Sequence, residues 1–289
     1  MLSLDKVTLT LGNQIILNQI SFVVKQGDII GLIGPNGAGK SSLIKVLANL
    51  IYPDSGELFI DHAKFNFADL KEHCGYLIDY PAFYPYLNAK QNLQLFAKVN
   101  KLNLDTNALL SEVGLADTGY KKVRHFSTGM KQRLAIAQAL IRDPEILILD
   151  EPFNGLDPNG FQDLVGLIRK INQEGKTILI SSHLLNELEE LADRFILIHK
   201  GDIAMQISKE ELQKIPKKVE FIFETDLSER AMELFTRYKV EKIEPKKVLV
   251  NLKPDKIAET IASLVHLGCT PINVQTRTVL QDKYMQITQ

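Results

Sequence analysis

Apolar runs of strand length alternating with amphipathic helical stretches predict an α/β fold, a parallel sheet with helices on its faces, followed by a small α+β domain. Three observations carry this. Asp28–Ile33, Ile146–Leu149, Thr177–Ser181 and Phe195–His199 are apolar runs too short for helices. Helical periodicity fills the chain between the later ones, the pattern of crossover connections. After about Gly201 the pattern changes to strand–helix–strand, twice over.

In chain order, Leu4 to Val24 reads as short strands around a turn at Gly12-Asn13. Asp28–Ile33 is a buried strand leading through a glycine-rich turn into a helix from about Lys40 to Leu50. Leu43, Ile44, Val46, Leu47 and Leu50 form its apolar face. Tyr52–Gly56 is a turn. The stretch from about Tyr84 to Ala139 is helix-rich and broken at Gly114 and Gly119. Helices near Gly160–Gln173 and Leu184–Leu191 separate the remaining strands. Lys209–Lys218 is charged, contains Pro216, and reads as a short helix and linker. Strands at Val219–Glu224, Val240–Ile243, Val248–Leu252 and Ile272–Gln275 then frame helices over Leu227–Tyr238 and around Ile257, Ile261 and Val265. A final helix holds Val279, Leu280 and Met285. The expected division is a main domain over 1–205 with a helical part at about 84–140, a linker over 206–218, and a ferredoxin-like domain over 219–289.

The 289 residues are 45% hydrophobic and 24% charged, which fits a folded chain of about two domains. The net charge of -1 argues against broad attraction to nucleic acid or anionic lipid. Cys74 and Cys269 lie far apart and form no metal or disulfide pattern, consistent with a reducing cytoplasm. The first residues, MLSLDKVTLT, lack the basic and apolar regions of a secretory signal. No apolar run approaches the roughly 18–20 residues needed to span a bilayer.

Gly34-Pro35-Asn36-Gly37-Ala38-Gly39-Lys40-Ser41 fits G-x-x-x-x-G-K-[ST], between a strand and a helix. Such a loop turns successive backbone N–H groups inward around an anion, and the helix behind it aims its positive end at phosphate. Lys40 is suited to the β/γ oxygens and Ser41 to Mg²⁺. Ile146–Leu149 ends in Asp150 and Glu151, a carboxylate pair suited to the metal shell and to polarising a water. His183 follows a further apolar strand and is expected at the γ-phosphate.

Phe126-Ser127-Thr128-Gly129-Met130, just upstream of the acidic strand, resembles the signature motif of ATP-binding-cassette (ABC) ATPases. Asn154-Gly155-Leu156-Asp157 is similar to that family's D-loop, and His183 to its switch histidine. The likeness covers roughly Leu2 to Asp202. It implies a P-loop NTPase fold, with a RecA-like core, an antiparallel β subdomain and a helical insert. ATP and Mg²⁺ would be the ligands, held by residues 34–41 with Ser42, and Ser41 and Asp150 would serve the metal. ATP would lie between the P-loop of one cassette and Ser127, Gly129 and Asp157 of a second, identical or paired. The resemblance also implies a separate transmembrane permease as partner, with this chain peripheral on the cytoplasmic face. Its docking surface would be the helical insert with the Asp79 loop.

Three positions depart from the family pattern. Met130 replaces a glutamine and lacks its amide. Leu11-Gly12 stands where an aromatic residue before glycine usually stacks on adenine. Gly75-Tyr76-Leu77-Ile78-Asp79 puts a carboxylate at the Q-loop glutamine, similar to the glutamate of bacitracin and lantibiotic self-protection exporters, and Asp79 is a further candidate for Mg²⁺. Export of a peptide antibiotic, drug or lipid is the expected activity. An importer with a regulatory ligand-binding C-terminal domain, and a soluble cassette ATPase acting on ribosomes or DNA, are the alternatives.

Overall fold

The computed structural model describes residues 1–78, 82–183, 185–215, 217–252 and 254–288. The chain forms two compact units, Met1–Ile207 and Ser208–Gln289.

The first unit opens with an antiparallel pair, β1 (Leu2–Leu11) and β2 (Gln14–Val24), turning at Gly12-Asn13. These strands are long rather than short. Register shifts between Leu4 and Val7 and between Val7 and Leu9, with Lys6 and Gln19 at φ 50° and 48°, bulge the ladder and let it twist. β3 (Ile29–Ile33) is buried on both faces and leads into α1 (Lys40–Leu47). The helix stops before Leu50. Asn49 adopts φ 56°, which breaks the register and leaves Leu50 64% exposed instead of on the apolar face.

β4 (Ser55–Ile60) and β5 (Ala63–Phe65) complete a sheet of order β2-β1-β4-β5, and β6 (Cys74–Leu77) follows. None of these three strands was announced by the sequence pattern, because all are short and β4 and β5 are partly exposed.

The helical region contains α2 (Ala89–Val99), α3 (Thr106–Glu112) and α4 (Thr128–Ala139). Each begins where a side chain accepts an otherwise unpaired N–H: Asn88 in a capping box with Gln91, Asp105, and Ser127. Then come β7 (Ile146–Asp150), α5 (Pro158–Gln173), β8 (Thr177–Ser182), α6 (Leu185–Leu191), β9 (Arg194–His199) and β10 (Asp202–Ser208). The second sheet has the order β10-β9-β3-β8-β7-β6. Its pairs β9–β3, β3–β8, β8–β7 and β7–β6 are parallel. β3, β7 and β8 are buried throughout, as central strands covered on both faces must be. One apolar core joins this sheet, α1 and the first sheet.

The segment 206–218 carries the end of β10, then α7 (Lys209–Lys214), capped by Ser208 and Glu211, and the start of β11 (Lys217–Phe223). The second unit continues with α8 (Glu229–Thr236), β12 (Lys239–Glu244), β13 (Lys247–Leu252), α9 (Pro254–His266), β14 (Pro271–Arg277) and α10 (Val279–Thr288). Its sheet has the order β12-β13-β11-β14, with all three pairs antiparallel. Alternation along β11 and β13 sends Val219, Phe221, Phe223, Val248, Val250 and Leu252 into a core shared with Phe235 and Leu264.

Candidate functional site

Three motifs meet because β3, β8 and β7 are parallel neighbours whose carboxyl ends open on one edge. The 34–39 loop leaves β3, Glu151 follows β7, and His183 follows β8.

The loop is shaped by its glycines. A Cβ on Gly34 would stand 2.4 Å from the Ile198 carbonyl oxygen, so no side chain fits there. Gly39 takes φ 113° as the N-cap of α1 and supplies no side-chain acceptor, which leaves the first-turn N–H groups for an anion. Asn36 and Gly37 are exposed, Pro35 is half-buried and Ala38 is buried. Ser41 and Ser42 sit half-buried on the first turn.

Lys40 is only 6% exposed. Its Nζ donates to the Gly34 carbonyl at 2.7 Å and the Pro35 carbonyl at 3.3 Å, and stands 4.0 Å from Glu151 Oε1. Burial pushes the ammonium below the ordinary lysine range, opposed by the charges of Glu151 and Asp150.

Asp150 is 5% exposed. The Ser181 hydroxyl donates to its Oδ1 at 2.5 Å and accepts the Glu151 N–H at 2.9 Å. That N–H also lies 3.2 Å from the Ser181 carbonyl. These contacts hold Glu151 at φ 48°, a left-handed conformation that costs a non-glycine residue about 1–3 kcal/mol. The turn aims its carboxylate at His183, whose Nδ1 lies 2.8 Å from Oε2. Glu187, on the first turn of α6, has a buried Oε2 without a hydrogen-bond partner. Burial pushes its carboxyl up to about 7; His183 opposes that rise and Glu151 adds to it.

The signature and D-loop residues gather elsewhere. Ser127 caps α4 by accepting the Met130 N–H at 3.2 Å. Asp157 caps α5 by accepting the Gly160 N–H at 2.7 Å, so its Oδ1 is engaged locally. Ser127, Gly129, Leu156 and Asp157 line a cavity of about 600 Å³, across which Arg133 and Asp163 pair at 2.7 Å. No P-loop residue lines it. At Met130, the Lys121 ammonium lies 3.7 Å from the sulfur. Leu11 ends β1 opposite Gln14 and is 46% exposed, open to apolar contact.

Asp79 lies outside the described residues. Among the described residues, no three His, Cys, Asp or Glu side chains converge as a metal cage, and no helix is long and apolar enough to cross a membrane. Ser181 and Glu187 were not foreseen. The only trace of Ser181 in the sequence is its place two residues before His183, and Glu187 stands one helical turn after that histidine.

The family description "ABC transporter" matches residues 17–154. An uncharacterized ABC transporter ATP-binding protein of Bacillus subtilis, YdbJ, is 36% identical over 96% of this chain and 92% of its own. This chain belongs to the ABC transporter ATP-binding proteins. The bacitracin transport ATP-binding protein BcrA of Bacillus licheniformis is 42% identical, covering 72% of this chain and 69% of its own. The lantibiotic transport ATP-binding protein SrtF of Streptococcus pyogenes is 40% identical, covering 71% and 90%. The ATP-binding subunit of an ABC transporter aligns at 30% identity with a TM-score of 0.64, covering 74% of this chain and 92% of that one. The cassette MJ0796, solved as a dimer in a post-hydrolysis state with ADP and Pi, aligns at 26% identity with a TM-score of 0.63, covering 72% and 99%. The protein is therefore a nucleotide-binding ABC ATPase with the cassette fold, and its hydrolysis of ATP is coupled to transport.

Proposed function

We propose that this ABC subunit pairs with a second cassette, identical or related, and drives a separate permease that exports a peptide antibiotic, drug or lipid. The single observation that carries the reading is the meeting of the Lys40 loop, the Asp150–Glu151 pair and His183 at one sheet edge. The separation of the signature and D-loop cavity from that edge supports pairing, since one chain then offers two half-sites. The names of BcrA and SrtF support export. The permease would place this chain on the cytoplasmic face of the membrane.

In this reading the α1 N-terminus and Lys40 bind the β- and γ-phosphates, with Gly34, Gly37 and Gly39 leaving room for them. Lys40 trades the Gly34 and Pro35 carbonyls for phosphate oxygens. Glu151 accepts the proton of the attacking water, and His183 faces the γ-phosphate through Nε2. Ser127 and Gly129 of the paired cassette would close on the same phosphate, near its Asp157, and Leu11 would pack on the base.

The residues also fit Mg²⁺. Ser181 engages Oδ1 of Asp150, so its Oδ2 and the Ser41 hydroxyl are the groups that would hold the cation, with Asp79 a further candidate by its place in the sequence. When bound, the ion neutralises charge on the phosphates. The element order of the second unit supports a ferredoxin-like accessory domain.

The test is Glu151→Gln in purified subunit and in vesicles with a co-expressed permease. ATP binding is expected to persist and hydrolysis to fall by about 10²–10⁴-fold, the usual worth of a general base. Unchanged turnover would remove Glu151 from that role. Parent-driven uptake of a peptide antibiotic into inside-out vesicles supports export; ATP-dependent movement only in the opposite direction overturns it.

A further inference from the structure

We propose that Arg133 and Asp163 are positioning residues whose ion pair fixes the spacing of the signature and D-loop helices, so that Ser127 and Asp157 meet the paired cassette as one rigid surface. The inference rests on the pairing of cassettes proposed above.

The cavity that holds these motifs sets the problem. It measures about 600 Å³ and lies between the turn after α3 and the first turns of α4 and α5. Walls that face open space have no protein atoms across from them to pack on, so their relative placement falls to contacts at the rim. At the helix starts those contacts are slight. A Cβ built on Gly129 would stand 3.7 Å from Leu156 Cδ2, and one on Gly155 3.6 Å from Thr128 Cγ2. Two glycines thus leave the signature and the D-loop beside each other with little side chain between them.

Farther along, the ion pair supplies the tie. Arg133 stands six residues after the Ser127 cap in α4, and Asp163 six residues after the Asp157 cap in α5. Each cap is thus about 9 Å along its helix from the bridge, so the pair joins the two helices at matching depth. Arg133 Nη2 donates to Asp163 Oδ2 at 2.7 Å, a charge-assisted hydrogen bond. Nη1 lies against Gly114, where φ is 69° and a Cβ would stand 2.7 Å from it. The guanidinium is therefore held from two sides, by the turn after α3 and by α5. Asp163 already balances its charge, so its effect is on spacing and not on holding phosphate.

The closing experiment uses the full chain carrying Glu151→Gln, which is expected to retain ATP, with Arg133→Gln, Asp163→Asn or both added. ATP affinity, read with a fluorescent analogue at low chain concentration, should stay within about twofold, since the Lys40 loop is a separate site. Mg·ATP-driven pairing, read by sedimentation velocity, should need about fivefold more chain in either single variant, the upper reach of a solvent-facing pair. The double variant should be no weaker than the singles, as for two groups that act as one. Losses that add overturn the proposal. So does a loss confined to one single variant; confined to Arg133→Gln, it would mean that the guanidinium acts on the partner or its nucleotide directly. Pairing unmoved in both singles, with stability in urea reduced, is the mark of a merely structural pair and also overturns it. A second measurement needs no pairing, so it separates this inference from the reading beneath it. Lys131 and Asn159 are exposed on α4 and α5. Spin labels on Lys131→Cys and Asn159→Cys, in nucleotide-free chain with Cys74→Ala and Cys269→Ser, should report one narrow distance that Arg133→Gln broadens. Equal widths overturn the spacing role, whereas a narrow distance in a chain that never pairs with ATP would remove the pairing reading instead.

Discussion

Ser181→Ala tests the architecture of the site most directly. Ser181 is fully buried, and its hydroxyl serves two groups at once, donating to Asp150 Oδ1 at 2.5 Å and accepting the Glu151 N–H at 2.9 Å. Removing it affects them unequally. The Glu151 N–H retains the Ser181 carbonyl at 3.2 Å, so little is lost there. Asp150, only 5% exposed, loses a hydrogen bond to a charged acceptor, worth about 1.5–3 kcal/mol. A destabilisation of about 2–3 kcal/mol is expected. At about 2–4 °C per kcal/mol for a unit of this size, that lowers Tm by about 4–12 °C. Urea unfolding of the nucleotide-free chain, followed by circular dichroism, measures it, and the m-value should not change. A stability within about 0.5 kcal/mol of the parent would refute the reasoning, because it would mean that the buried carboxylate does not depend on the hydroxyl. Hydrolysis should fall as well, since the same hydroxyl helps to hold the Glu151 backbone in its left-handed turn.

Three further outcomes are expected. Gly34→Ala places a methyl 2.4 Å from the Ile198 carbonyl and should cost about 2–3 kcal/mol by overpacking, with ATP affinity, read by a fluorescent analogue, falling at least about tenfold. Because the Glu187 carboxyl is raised from 4.5 to about 7 in the folded chain, the fold binds this proton more tightly than the unfolded chain does. Its contribution is therefore favourable below 4.5 and is lost as pH rises toward 7; urea midpoints should show Glu187→Gln gaining on the parent across that window. Phe235 is fully buried against Phe221, with ring centroids 5.4 Å apart. Phe235→Ala should cost the second unit about 3–5 kcal/mol, seen as faster amide exchange in β11 and β13 while β3 and β7 keep their protection.

The central sheet was legible because burial on both faces writes uninterrupted apolar runs, as in Ile146–Leu149 and Thr177–Ser181. Half-exposed strands write no such signal. Ser55–Ile60 is fixed by pairing with the distant β1, while Ala63–Phe65 and Asp202–Ser208 are edge strands held by the strand just before each, and their partly exposed residues carry no apolar run. Ser127 and Asp157 set the starts of α4 and α5 as caps, a role the structure adds to their motif reading, whereas the end of α1 depended on Asn49 adopting a positive φ, for which Asn is permissive but not diagnostic. At the site, spacing brought Lys40, Asp150, Glu151 and His183 into view. Ser181 and Glu187 matter through burial and proximity, properties of the folded chain, and a lone serine or glutamate near a motif does not advertise them.

The posture of Lys40 has a bearing on how quickly the site can be used. Its ammonium donates to the Gly34 and Pro35 carbonyls and so ties the start of the loop to the first turn of α1. An arriving triphosphate then has to displace these two hydrogen bonds, so capture of nucleotide should include the swing of that one side chain as well as diffusion.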